Sequence, residues 1–132
     1  MTYEQINESI SYCGLICCFC KVNENCDCKT NNHCCHRIPP KECYQYNCCN
    51  EKGLNGCWEC LDAPCENGMF GADILWVRAF IKCIKEDGLE NFSRYILRNH
   101  ENGIIYTTYA HGHDYDLDDE IAILHLLRNG TT

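Results

Sequence analysis

Fourteen of the fifteen cysteines lie between Cys13 and Cys65, and the remaining one is Cys83. They are crowded into short steps: Cys17-Cys18, Cys17-x-x-Cys20, Cys26-x-Cys28, Cys34-Cys35, Cys48-Cys49 and Cys57-x-x-Cys60, followed by Cys65. Cysteines that served only as small core hydrophobes would recur at helical or strand spacing. Knuckles of this kind instead present two thiolates to one tetrahedral ion, and several must converge because a structural zinc takes four ligands. The spacing points to Cys57, Cys60 and Cys65 as one ligand group and to Cys13, Cys17 and Cys20 as another. Cys26 and Cys28, with one residue between them, form a tighter chelate suited to clusters with bridging thiolates. Cys34 and Cys35 are flanked by His33 and His36, whose imidazoles are either further ligands or exposed polar side chains.

A disulfide framework is the competing explanation for such density. The cysteine count is odd, and three adjacent pairs make bridge geometry awkward at several points at once. The first ten residues, Met-Thr-Tyr-Glu-Gln-Ile-Asn-Glu-Ser-Ile, carry neither a basic nor an apolar signal region. A cytoplasmic, metal-binding protein is therefore the expectation. With fourteen sulfurs in this half, about three zinc ions are expected, and the two imidazoles would allow a fourth.

The elements that must position these groups divide the chain in two. Residues 1–66 read as a cysteine-rich, metal-binding region and 67–132 as a helical region packing on it. The first is poor in Leu, Ile, Val and Phe, so a small, loop-rich fold of zinc knuckles would depend on metal to offset its ordering entropy. Residues 1–12 form a lead-in with at most a helical turn. In the second region, about three helices are predicted. Asp73 caps one running to about Glu86, with Ile74, Val77, Ile81 and Ile84 inward and Arg78, Lys82 and Lys85 on the opposite face. Gly88 ends it, and a second helix spans about Leu89 to Glu101 with Leu89, Phe92, Tyr95 and Ile96 inward. Ile104 to Tyr109 is a short strand or simply extended chain. An acidic turn at Asp118, Asp119 and Glu120 opens the third helix, which presents Leu117, Ile121, Leu124 and Leu127 to one side and ends near Gly130. Cys83 falls mid-helix and reads as packing. The His111-Gly112-His113-Asp114 string reads as a solvated loop.

The string Tyr12-Cys13-Gly14-Leu15-Ile16-Cys17-Cys18-Phe19-Cys20 resembles the Cys-Gly-Leu-x-Cys-x-x-Cys opening of an uncharacterised prokaryotic cysteine-rich family presumed to bind zinc. That family's closing pattern is similar to Cys43, Cys48, Lys52-Gly53, Cys57-x-x-Cys60 and Pro64-Cys65-Glu66 here. Across residues 12–66 the resemblance implies that Cys13, Cys17, Cys20, Cys43, Cys48, Cys57, Cys60 and Cys65 are ligands. It favours Cys17 over Cys18 and Cys48 over Cys49. The middle departs from the pattern, with Cys26-Asp27-Cys28 in place of a wider knuckle and Cys18, Cys34, Cys35 and Cys49 as extra thiols. The family implies no reaction or substrate.

The net charge is −8 and both halves are acidic, so binding to nucleic acid by phosphate neutralisation is not expected. No run of about 20 apolar residues suggests a membrane span. Closed thiolate sites suit structural zinc, whereas catalytic zinc keeps a position open and favours His or carboxylate ligands, so no enzymatic centre is expected. The sequence thus points to a protein with several structural zinc sites, serving as a scaffold or protein-interaction module whose acidic surface favours another protein as partner. Metal buffering or sensing is one alternative, and thiol-redox or iron–sulfur chemistry another.

Overall fold

The computed structural model describes residues 1–19, 42–71, 74–106 and 113–131. Helix α1 (Tyr3–Glu8) begins with a reciprocal cap. Thr2 Oγ1 accepts from the Gln5 amide at 3.3 Å, and Gln5 Oε1 accepts from the Thr2 amide at 2.8 Å. A tight turn follows, closed by an antiparallel bridge between Ile10 and Ile16. Gly14 sits in it at φ +94°, where a Cβ would also meet the Ile81 side chain at 3.2 Å, which explains a glycine directly after Cys13. Residues Cys17–Phe19 form a 3₁₀ turn.

Helix α2 (Tyr44–Lys52) lies inside the stretch expected to be loop-rich, where the sequence predicts no helix. It carries no apolar stripe, and the sequence marks it only at its end, by Lys52 and a left-handed Gly53. Two further 3₁₀ turns follow at Cys57–Glu59 and Gly68–Phe70. The long helices are α3 (Leu75–Asp87), α4 (Leu89–Glu101) and α5 (Glu120–Asn129). Asp119 caps α5 by accepting from the Ile121 amide at 3.0 Å. The proposed Asp73 cap, residues 107–109 of the suggested strand and His111 lie outside the described residues. Ile104 to Tyr106 form no strand among the described residues.

Helix α3 packs on both α4 and α5, and α1 lies against α4. Val77, Phe80, Ile81, Phe92, Ile123 and Leu127 are fully buried at the centre. Aromatic rings thread this core: Phe80 meets Phe92 edge to face at 5.2 Å and Tyr115 at 5.4 Å. Ile6, Ile10, Ile16 and Phe19 join the same core, so the N-terminal turn is held by apolar burial as well as by any thiol chemistry. Two expected faces require correction. Ile121 is 75% exposed, and the inward stripe of α5 is Ile123, Leu126 and Leu127. Ile121 stands about 200° around the helix from Ile123, so both cannot face α3. Along α3, Arg78 and Lys85 do not simply face solvent but hydrogen-bond to carbonyls of the cysteine-rich loop.

Cys83 is fully buried, and burial, with the Asp87 carboxylate adding, pushes its thiol up from 9.0 to about 12. Burial likewise raises Tyr115 from 10.0 to about 12. Both are neutral when folded, so their contribution to stability is complete below the unfolded values of 9.0 and 10.0 and is lost as pH rises toward about 12. Thermal melts should therefore fall from about pH 9 upward, with a shallower initial fall in Cys83→Ala. An unchanged slope in that variant would remove Cys83 from the explanation.

Candidate metal centre

Five thiols line one cleft of about 190 Å³: Cys48, Cys49, Cys57, Cys60 and Cys65. Three stretches of chain deliver them. Helix α2 supplies adjacent Cys48 and Cys49, whose side chains leave the helix about 100° apart. The 3₁₀ turn supplies Cys57, and the Cys60 amide donates back to the Cys57 carbonyl at 3.0 Å, folding the C-x-x-C step into a knuckle. The chain then returns through Pro64 to Cys65. The Cys57 amide also donates to the Tyr12 carbonyl at 2.8 Å, which moors the knuckle beside the N-terminal turn that carries Cys13.

Cys49 Sγ and Cys57 Sγ stand 3.6 Å apart, both buried. Burial drives the Cys57 thiol far above its ordinary range, with Cys49, Cys13 and Cys65 adding to the effect. A thiol in that setting stays protonated unless a cation draws the proton off, which is what metal binding does to its ligands. At the rim, Lys52 Nζ stands 3.7 Å from Cys60 Sγ. Cys48, then Cys60, raise the Lys52 ammonium, and Cys48 is also the chief cause of the upward shift at Tyr44. Lys52 thus supplies positive charge at the outer edge of the thiol cluster. Among the described residues, no group of three or more His, Cys, Asp or Glu side chains is arranged to hold a metal ion as the side chains stand.

The sequence-derived candidates fall into three sets. Cys48, Cys57, Cys60 and Cys65 share the cleft. Cys13 is buried close enough to Cys57 to perturb it, with Ser11 Oγ 3.3 Å from its sulfur. Cys17 is half-buried on its 3₁₀ turn, and Cys43 is buried at the start of α2 but does not line the cleft. Cys20, Cys26, Cys28, Cys34 and Cys35, together with His33 and His36, lie outside the described residues. Cys18 is exposed. The sequence ranks Cys49 behind Cys48 and gives Lys52 no role beyond its place in the motif; that both stand at the cleft becomes legible only once residues 44–52 are known to be helical. Asp114 does not serve as a free carboxylate beside the histidine loop: its Oδ2 accepts from the Ile105 amide at 2.6 Å.

Comparison with protein families, with curated proteins and with solved structures gives no match. The chain is a cysteine-rich protein with a helical C-terminal region. Among the described residues no helix is long and apolar enough to cross a membrane.

Proposed function

We propose that this chain is a zinc-binding scaffold in which a structural ion in the cleft is held by Cys49, Cys57, Cys60 and Cys65, with further ions on the other candidate ligands, Cys13, Cys17, Cys20, Cys26, Cys28, Cys34, Cys35 and Cys43. The observation that carries this reading is the convergence of five thiols on one cleft, with Cys49 and Cys57 already 3.6 Å apart. With a Zn–S length of about 2.3 Å, two sulfurs of a tetrahedral site stand about 3.8 Å from each other. The pair fits that spacing, and Cys60 and Cys65 need to turn inward to complete it. Geometry thereby favours Cys49 over the Cys48 implied by the family resemblance. When bound, zinc supplies cross-linking between α2, the knuckle and the Cys65 return, and it binds all four ligands as thiolates. Four thiolates leave a −2 site, which Lys52 at the rim partly balances.

With the ion's positions filled by sulfur, the chain's work is binding, and the net charge of −8 favours a neutral or basic protein partner. One observation favours metal buffering as the second reading: the cleft holds five sulfurs, one more than a tetrahedron uses, and Cys48 is the surplus. Elemental analysis of protein purified without added metal tests both. We expect about three zincs per chain, released together on titration with a chelator. Graded, non-cooperative release would favour buffering. Iron with visible absorbance would replace both readings with a redox centre.

A further inference from the structure

We infer that Arg78 and Lys85 are positioning residues for the thiol cleft, a role that rests on the zinc reading for its purpose but on hydrogen bonds for its geometry. Both lie on α3, seven residues apart, and so project from the same side of the helix about two turns from each other. Lys85 Nζ donates to the Cys60 carbonyl at 2.8 Å and to the Ala63 carbonyl at 2.6 Å. Arg78 Nη1 donates to the Cys65 carbonyl and to the Phe70 carbonyl, each at 2.7 Å. The two cations therefore grip the main chain at two cleft cysteines, at Ala63 in the return between them, and at Phe70 beyond it.

The arrangement answers a local need. The segment from Cys60 to Cys65 has no helix or strand to organise it, so its carbonyls must find donors elsewhere. Charged donors make stronger bonds than neutral ones, and α3 is anchored by fully buried Val77, Phe80 and Ile81. The grip thus transfers the rigidity of the core to a loop whose sulfurs must meet within a few tenths of an ångström. It also sets two positive charges behind a site that becomes negative when four thiolates bind. Lys82, between them in sequence, provides an internal control: it pairs with Glu120 Oε1 at 3.1 Å, at the start of α5, and not with the loop, and because Arg78 Nε also stands 3.6 Å from that oxygen, Lys82→Gln reports what loss of the Glu120 pairing alone does.

The test uses the full chain as purified and reads iodoacetamide alkylation at each cysteine by mass spectrometry. In Arg78→Gln and in Lys85→Gln, labelling of Cys60 and Cys65 should rise about tenfold while Cys83 stays within about twofold, because only the loop opens more often. Zinc transfer to a chromophoric chelator should accelerate by a similar factor. Lys82→Gln should leave both rates at the parent value, and Lys85→Arg should restore them toward it. Unchanged labelling of the loop, a rise shared equally by Cys83, or an equal effect of Lys82→Gln would overturn the assignment. A parent chain that holds no zinc would overturn the metal reading alone, since the alkylation pattern still decides whether Arg78 and Lys85 hold the loop.

Discussion

Stripping the metal with a strong chelator is expected to abolish hydrogen-exchange protection across residues 42–65 while leaving the helical signal of α3, α4 and α5. The expectation follows from where apolar area is buried. The three long helices contribute Val77, Phe80, Ile81, Ile84, Phe92, Ile96, Ile123, Leu126 and Leu127 to the core. Residues 42–65 fully bury only Cys43, Cys49, Cys57 and Ala63 among their apolar side chains, which hold little hydrocarbon, while Leu54 and Trp58 pack on the core only partly buried. A structural zinc supplies on the order of 10 kcal/mol, comparable to the whole stability of a small domain, so on the proposed zinc reading a segment with this little fully buried apolar area depends on it. The N-terminal turn should behave differently. Ile6, Ile10, Ile16 and Phe19 sit in the helical core, so protection around them should persist in part. Sharp, dispersed NMR signals from residues 42–65 after verified removal of all metal would show that packing alone holds the segment.

The long helices were legible because their signals were of the kind that dominates local structure. Residues 89–101 repeat apolar side chains at helical spacing between two glycines, and α4 occupies Leu89–Glu101 as expected. The end of α3 at Gly88 and the acidic opening of α5 were readable from caps and charge in the same way. Ile121 was misjudged because a ten-residue helix allows more than one apolar stripe, and only the neighbour chooses; here α3 takes Ile123, Leu126 and Leu127. Helix α2 was hidden for a deeper reason. Its sequence, Tyr-Gln-Tyr-Asn-Cys-Cys-Asn-Glu-Lys, offers no hydrophobic face, since the residues it buries are Gln45 and Cys49. Gln45 is there to bond, donating to the Asn67 carbonyl at 2.7 Å and accepting from the Met69 amide at 3.0 Å. With the helix unread, the choice between Cys48 and Cys49 could not be made on geometry. The carbonyl grip of Arg78 and Lys85 was equally invisible, because amphipathic patterning assigns every charged helix position to solvent.

Cys57→Ser should cost more than any other single cysteine substitution in the cleft, releasing about one zinc per chain and a large part of the roughly 10 kcal/mol such an ion supplies. The Cys57 sulfur lies 3.6 Å from that of Cys49, and its backbone fixes the knuckle to Tyr12. Serine keeps the backbone and nearly the volume, but its hydroxyl is a harder and far less acidic donor than a thiol and does not replace it on zinc. It would also leave a buried hydroxyl in place of the sulfur, adding to the loss. Two other cysteines separate metal loss from simple packing. Cys18 is exposed, so Cys18→Ser should leave both zinc content and melting temperature at the parent values, within about 0.5 kcal/mol. Cys83 is fully buried in α3, with a long 4.0 Å contact to Asp87 and the Arg128 side chain beside its thiol, so Cys83→Ser should destabilise by about 1–3 kcal/mol and keep every zinc. Zinc per chain and melting temperature, measured together on the three variants, give this two-way separation. Equal zinc retention in all three would exclude Cys57 as a ligand, and zinc loss in Cys83→Ser would mean that the helical core and the thiol cleft fold as one unit.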